Sequence, residues 1–557
     1  MIRPKIRPKI RAALARLPRP SRAALLLIGI WALEIYAVQE LTLIPGHWQS
    51  LFGAAIYRVV RITIDLLACG LCVAALPRPL LGLLFAINPV FYVGVILYHD
   101  YYQQPLSMHA LIETAGEGVQ VAGAFWGLVE AWQAIFVILL VMKLGLLFGA
   151  GSSRPWASRR RSAGLLLGTY VGFVALVNPL LQPLSKIGTW DSVGGIGAIY
   201  GYSLTWLAEL AYLDVDTLRE RAVLRSVDAL PVDVDRLLAE EGSFPVGERL
   251  VFLQVESLDL ALIDFRIDGR EVTPELNRLW RRSLRYAVLA PKGMGSSDAD
   301  FRALMGRVPS RDVPTYKIPG YPYAGSFVEQ LRTLGVRAAA IHGVTGEFFN
   351  RRRAYEKMPF EALLFREELL ELGVGAGDFW AIDDGLVLDA AVAQLAKVPA
   401  RSFVLVITAT SHIPFPLAAA ERVFFPAEVD PSYAYFDSIH YVDRLIGRFV
   451  EALPAGTTVV IYGDHISKVE NPELGYRQRL HQGEGCVPFL ILESGGDLHG
   501  RQRIPEELAL SCELTSLHAF RLVQGRALEA FAADRPTVGA AGPSSREGTA
   551  QSAQGAY

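Results

Sequence analysis

Long apolar runs dominate the first third of the chain and disappear from the rest. Five of them, at roughly 24–44, 51–76, 78–98, 122–149 and 163–183, each match or exceed the roughly 20 residues that cross a bilayer as a helix. The first is long, lacks a small-residue cleavage site and is followed by further runs, so it reads as a retained span. From about residue 245 the pattern changes to short, continuous apolar runs separated by amphipathic stretches. Arg249–Val255, Ala338–Ile341, Phe403–Ile407, Thr457–Tyr462 and Pro488–Leu492 predict buried strands. Thr273-Pro274-Glu275 predicts a helix start, with Thr273 as cap and Pro274 in the first turn. Tyr435, Ile439, Val442, Leu445, Ile446 and Phe449 share one helical face. Strands alternating with helices predict an α/β domain with a mostly parallel sheet, behind a five-helix transmembrane bundle.

The domain boundaries follow from these shifts. Residues 1–183 form the membrane part, and 184–244 a linker with helices on the membrane surface. Residues 245–533 form the α/β domain, and 534–557, rich in Gly, Ala and Ser, a disordered tail. Composition agrees: 557 residues, 52% hydrophobic, 20% charged, with mean hydropathy +0.29. That is too apolar for an ordinary soluble enzyme and too polar for a pure bundle. A net charge of -2 points to no nucleic-acid partner.

Loop charge sets the orientation. Eight Lys and Arg residues precede the first run, Arg78 separates the second and third, and Arg154 and Arg159–Arg161 separate the fourth and fifth. Loops 45–50 and 99–121 contain neither residue. Positive charge stays inside, so the N-terminus is cytoplasmic and the α/β domain lies outside an inner membrane. Glu34, Asp65 and Glu130 interrupt the runs; pairing with Arg58 or Arg61, or an interfacial position, is favoured over a lipid-binding role. Cys486 and Cys512 could pair if their domain is exported, but two free thiols are the favoured reading.

Ligands of parallel sheets bind beyond the C-terminal strand ends. There the chain places Glu256, His342, Thr408, His412, Asp464 and His465. Gly293-Met294-Gly295-Ser296-Ser297 precedes a predicted helix, so Ser296 sits where amides favour a phosphate. Taken alone, simple capping by Ser296 is the better reading.

Several segments resemble, in order, the lipoteichoic acid synthase and phosphoglycerol transferase family of the alkaline phosphatase and sulfatase superfamily. They are VESLD at 255–259, TPELNRL at 273–279, SSDADF at 296–301, HGxxGxFFNR at 342–351, TSHIPF at 410–415 and YGDH at 462–465. The five preceding spans match as well. The resemblance implies that Glu256, Ser296, Asp464 and His465 bind one divalent cation, Mn²⁺ first, with Zn²⁺ or Mg²⁺ as alternatives. It also implies that Ser296 is the nucleophile and that His342, Phe349, Asn350, Arg351 and His412 surround the transferred group. His481 is a further candidate for the site. Phe349 stands where the family often has Trp, and Ile466-Ser467-Lys468 replaces a small-residue continuation.

Two carboxylates, an imidazole and a hydroxyl suit such a cation. His412 would serve as general acid and base, and Arg351 would clamp phosphate oxygens. The expected activity is transfer of phosphoglycerol from a membrane phospholipid to an envelope glycan or lipid, through a phosphoserine intermediate. Phosphoethanolamine transfer to a glycan or lipid A, and a non-catalytic lipid-binding regulator, are the alternatives. A sulfatase reaction is disfavoured, because Ser-Asp-Ala-Asp follows Ser296 where the formylglycine signature needs Pro and Arg. His440 is expected to be packed or solvated.

Overall fold

The structure is a computed structural model. It describes residues 20–43, 51–102, 104–120, 129–149, 156–188, 192–225, 244–291, 293–375, 381–397, 401–415, 417–426, 430–467, 469, 471–476 and 485–533. The candidate His481 and the expected tail 534–557 lie outside these residues.

All five apolar runs contain helices: Arg22–Leu43, Leu51–Ala75, Arg78–Tyr102, Ile135–Gly149 and Trp156–Leu180. Four are long and apolar enough to cross a membrane: Arg22–Leu43, Arg78–Asp100, Ala131–Gly149 and Arg159–Leu180. Leu51–Ala75 differs because every 18-residue stretch of it contains Arg58, Arg61 and Asp65. Large apolar side chains remain exposed along this half, including Leu33, Val90, Val141 and Leu180. Beyond residue 245, only Leu372 and Leu386 do so among the described residues. An apolar belt of that kind belongs against lipid rather than water.

The buried charges of this half pair differently from expectation. Glu34 pairs with Lys143, both side chains fully buried, which joins the first helix to Ile135–Gly149. Arg58 and Arg61 both reach Glu40, and Arg61 Nη1 donates to the Ala198 carbonyl at 3.1 Å. Asp65 accepts from Gln39 Nε2 at 3.4 Å, and the exposed Glu130 accepts from the Trp132 indole. A carboxylate inside a low-dielectric bundle takes the cation its own packing supplies. The expected surface helix at 204–212 is the second half of Ser192–Tyr212. That helix packs against Arg22–Leu43 and Leu51–Ala75, burying Tyr200, Thr205 and Glu209.

The C-terminal half is built on a seven-stranded sheet. Its strands are β1 (Arg249–Val255), β4 (Leu284–Leu289), β5 (Arg337–His342), β6 (Ala362–Leu364), β7 (Ser402–Ile407), β8 (Thr458–Gly463) and β9 (Cys486–Glu493). Their order is β4-β9-β8-β1-β7-β5-β6. A separate antiparallel pair, β2 (Arg266–Ile267) and β3 (Arg270–Glu271), lies outside it. Only β9 runs against the rest. The five expected strands are all present. Strands β4 and β6 were not anticipated, and β4 delivers the segment that carries Ser296. Residues 250–253 of β1 are fully buried, and helices cover both faces of the sheet.

Helix Pro274–Trp280 starts as expected, with a different cap. Thr273 donates to the Leu262 carbonyl instead, and Asp443 accepts from the Glu275 and Leu276 amides at 2.9 and 2.7 Å. Cys486 and Cys512 form a disulfide, with Cα atoms 6.1 Å apart, where free thiols were favoured. Strand β9 and the loop ahead of the last helix bring them together across 26 residues.

Lys143→Met strands the Glu34 carboxylate without its cation, an expected loss of about 3–5 kcal/mol. The Glu34→Gln, Lys143→Met double variant should recover most of it. Thermal unfolding in detergent checks this; a single variant as stable as wild type contradicts the role of the pair.

Candidate active site

Three parallel strands at the sheet centre set the site. Val255 of β1 pairs with Gly463 of β8, and Gln254 with Ile407 of β7. Glu256 therefore leaves β1 between Thr408 and Asp464. Its amide donates to Thr408 Oγ1 at 3.0 Å, and the Asp464 amide donates to the Val255 carbonyl at 3.2 Å. Ser296 arrives from β4, whose C-terminal end faces the same edge. The Ser296 carbonyl accepts from Gln254 Nε2 at 3.2 Å, and Tyr462 donates to Gln254 Oε1 at 3.1 Å.

Ser296 stands at the N-terminal position of helix Ser297–Met305, but its side chain makes no capping bond. Its Oγ donates to Glu256 Oε2 at 2.9 Å and lies 3.4 Å from His465 Nε2. Capping was the better reading of the residue alone, and the geometry turns the hydroxyl to the carboxylates instead. His465 Nε2 is 3.7 Å from Glu256 Oε1 and 3.4 Å from Asp464 Oδ2. All four side chains are buried.

Glu256, Asp464 and His465 each offer an atom within 4.8 Å of the others, a grouping able to hold a metal ion. Two observations test the fit. His465 Nδ1 donates to the Ile466 carbonyl at 2.8 Å, so Nε2 carries the lone pair, the tautomer a ligating histidine needs. Asp464 Oδ1 accepts from the Ser257 and His465 amides at 2.7 Å each, while the buried Oδ2 accepts no bond among the described residues. Burial first, and then the Glu256 charge, push the Asp464 carboxyl well above the usual range. A lone pair and two carboxylates converging in a buried space call for a cation, so the residues fit one.

The surrounding candidates come from two loops. Phe349 and Asn350 both adopt left-handed backbone, at φ 55° and 61°. That conformation is costly for a bulky residue and clusters at functional sites. It aims the Phe349 ring at Gly295, where an added Cβ would lie 2.5 Å from the ring. Glycine at 295, with φ +115°, lets the ring approach beside Ser296. Asn350 Nδ2 donates to the Tyr316 carbonyl at 2.7 Å.

Arg351 is buried, and its Nε and Nη2 pair with Asp300 at 3.1 and 3.2 Å. The Tyr355 hydroxyl also donates to Asp300. The expected phosphate clamp is therefore changed in one respect: one edge of the guanidinium is taken, because a buried cation requires a partner. His342 Nδ1 donates to the Ile407 carbonyl at 3.0 Å, and His412 Nδ1 to the Ile413 carbonyl at 2.7 Å. Each thus presents Nε2 as its basic nitrogen. His440 Nδ1 bonds the Val272 carbonyl and its ring packs edge-on to Phe424.

One organising residue went unread in the sequence. Asp384 is fully buried and accepts from the Ala409 and Thr410 amides at 2.8 Å each. Ser411 then donates to the Glu256 carbonyl at 2.5 Å. Together they fix the loop that carries His412. The pair Asp383-Asp384 gives no local sign of this, because its partners lie 25 and 26 residues away.

Residues 249–512 match a family model described as Sulfatase. This part of the chain is similar to the sulfatase family. Among its relatives, lipoteichoic acid synthase 2 of Bacillus subtilis is 25% identical over 236 residues, covering 40% of this chain and 36% of that protein. Lipoteichoic acid synthase 1 of the same organism is 24% identical over 247 residues, covering 40% and 37%. The chain thus spans little more than a third of the length of these curated relatives. Among solved structures, the integral membrane protein lipooligosaccharide phosphoethanolamine transferase A (EptA) from Neisseria meningitidis is similar over both halves. The likeness has a TM-score of 0.54 at 15% identity and covers 92% of this chain and 95% of that one. At that identity the likeness is one of fold: a helical N-terminal part joined to an α/β domain.

Burial, followed by the Arg351 charge, lowers the His342 pKa from 6.5 to about 3. Between those values the unfolded chain binds a proton that the folded chain does not. The stabilising effect of a neutral His342 is complete above pH about 6.5 and falls by about 1.4 kcal/mol per pH unit below it. Thermal unfolding from pH 7 to pH 4 should show a shallower acid loss for His342→Gln than for wild type. Equal slopes contradict the assignment.

Proposed function

We propose that the chain is a membrane-tethered, metal-dependent phosphotransferase. It moves phosphoglycerol from a phosphatidylglycerol-like donor to an envelope glycan or lipid. The observation that carries this reading is the Ser296 hydroxyl, buried against Glu256 and beside Asp464 and His465. A serine hydroxyl is a poor nucleophile until a base or metal activates it. One divalent cation held by Glu256, Ser296, Asp464 and His465 would supply that activation and neutralise charge on the phosphoryl group, with Mn²⁺ first and Zn²⁺ or Mg²⁺ as alternatives.

Glu256 takes the Ser296 proton as Oγ attacks the donor phosphorus, and the diacylglycerol alkoxide leaves with a proton from His412, which starts this step protonated at Nε2. The glycerophosphoryl group is then carried on Ser296. An acceptor hydroxyl gives its proton to His412 and displaces the serine oxygen, which recovers its proton from Glu256. His342, neutral and with Nε2 accepting, suits a headgroup hydroxyl better than a phosphate oxygen. Phe349 and Asn350 wall the headgroup, and Arg351 keeps Nη1 for a phosphate oxygen while Asp300 orients it. His481 remains a candidate on the acceptor side.

In this reading residues 1–183 span an inner membrane five times. The charged helix Leu51–Ala75 is the second of these spans, shielded by its neighbours. Residues 184–244 connect, and 245–533 form the catalytic domain outside the membrane. A disulfide in that domain supports an oxidising compartment. The sequence relatives, named as lipoteichoic acid synthases, support a phosphoglycerol donor. The full-length fold likeness to a phosphoethanolamine transferase favours phosphoethanolamine as the second reading. A lipid-binding regulator without catalysis would have no use for a hydroxyl gathered onto two carboxylates.

Mass spectrometry of the Ser296 peptide distinguishes the donors. Incubation with phosphatidylglycerol should add a glycerophosphoryl group, and Ser296→Ala should lower transfer about 10³-fold or more. A phosphoethanolamine adduct from phosphatidylethanolamine selects the second reading. An unmodified serine during turnover overturns the covalent route.

A further inference from the structure

Ser296 stands where a serine ordinarily caps a helix, and a hydroxyl turned away leaves the loop ahead of the helix without its usual tie. Asp298 supplies another. It lies in the first turn of helix Ser297–Met305, 1% exposed, and its Oδ2 accepts from the Met294 amide at 2.9 Å. The bond runs from the helix back onto the loop, so it closes the turn without drawing on the Ser296 side chain. Two backbone bonds complete the helix start. The Asp298 amide donates to the Gly295 carbonyl at 3.0 Å, and the Ala299 amide to the Ser296 carbonyl at 3.1 Å.

The loop is shaped around this carboxylate. Gly293 has φ +55°, and an added Cβ would lie 2.1 Å from Asp298 Oδ2. A residue without a side chain is what admits the carboxylate there. One turn along the helix, the buried Arg302 shares a face with Asp298, and its Nη2 donates to the Pro291 carbonyl at 3.1 Å. Burial disfavours the Asp298 charge, and the Arg302 guanidinium opposes that penalty. Asp298 and Arg302 thus hold Met294 and Pro291, both on the loop that delivers Ser296.

We propose that Asp298 is a positioning residue for the nucleophile. By holding the Met294 amide it sets the turn through Gly295, and so keeps the Ser296 hydroxyl 2.9 Å from Glu256 Oε2 instead of releasing it to cap the helix. Arg302 supports it by offsetting its charge and tying the Pro291 carbonyl. The inference rests on the phosphotransferase reading for the role of Ser296 and deepens it; the hold on the loop does not depend on that role.

Full-length protein in detergent tests both parts. Hydrogen exchange of a peptide covering Met294 reads the hold without turnover. Exchange there should quicken about tenfold or more in Asp298→Ala and stay near wild type in Asp298→Asn, whose side-chain oxygen still accepts. Quenched-time mass spectrometry with dihexanoyl phosphatidylglycerol reads the consequence. Asp298→Ala should slow formation of the Ser296 adduct about 30- to 100-fold, with the donor KM within about twofold and the metal content per chain unchanged. Asp298→Asn should return the rate to within about fivefold of wild type. Simple loss of folded protein would lower metal content together with the rate. Gly293→Ala should slow the wild type about tenfold but the Asp298→Ala protein about twofold or less, because the clash it creates is with the carboxylate. Unchanged exchange at Met294, a rate loss that asparagine does not recover, or additive effects of the two substitutions overturns the positioning role. Wild-type protein that leaves Ser296 unmodified overturns the phosphotransferase reading instead, and exchange still decides the hold.

Discussion

Two carboxylates brought within 4.8 Å in a buried pocket repel each other by about 3 kcal/mol at an effective dielectric of about 20. The amides of Ser257 and His465 offset part of this at Asp464 Oδ1, and the Ser296 hydroxyl offsets part at Glu256. Neither relieves Asp464 Oδ2, which shares its space with the lone pair of His465. Protonation of one carboxyl or binding of a cation is what remains, and a histidine already fixed in the ligating tautomer favours the cation. The sheet makes this crowding unavoidable. With β1 hydrogen-bonded to β7 on one side and β8 on the other, the residues that follow those strands cannot spread apart.

The same requirement explains the outer parts of the site. A strained Phe349–Asn350 backbone, a glycine under the Phe349 ring and a buried Asp300–Arg351 pair each cost stability. All three lie on the segments that meet helix Ser297–Met305. Strain of this kind persists where the surrounding packing over-determines it. The membrane half contributes a fixed platform. Its core cluster continues into the α/β domain through Tyr202, Ala222 and Phe244, and polar contacts from Lys317 and Arg221 close the seam. Under the proposed function the donor comes from a bilayer, so the site needs to be held at that height, and a continuous packed seam does so better than a flexible linker.

Much of this was legible in the sequence, for identifiable reasons. Strands buried on both faces read as unbroken apolar runs, so β1, β5, β7, β8 and β9 stood out, and the polar successors of β1, β5, β7 and β8 marked the candidate site. Strand β4 did not, because Arg285 interrupts Leu284–Leu289 at the edge of the sheet; β6 is too short to carry a pattern. The pairings that hold the site together were invisible for a different reason. Asp384 with the His412 loop, Asp443 with Pro274–Trp280, Glu34 with Lys143, and Cys486 with Cys512 join segments from 25 to 168 residues apart. No local propensity encodes such contacts. Ser296 shows the limit from the other side: its position favoured a cap, and only the arrival of Glu256, 40 residues earlier, redirects the hydroxyl.

The most direct test is metal content. Purified protein analysed by inductively coupled plasma mass spectrometry should carry close to one divalent ion per chain, and Asp464→Ala should lose most of it while remaining folded. Full occupancy in Asp464→Ala, or a wild-type protein that takes up no ion from Mn²⁺, Zn²⁺ or Mg²⁺, would contradict the assignment of these four side chains to one cation.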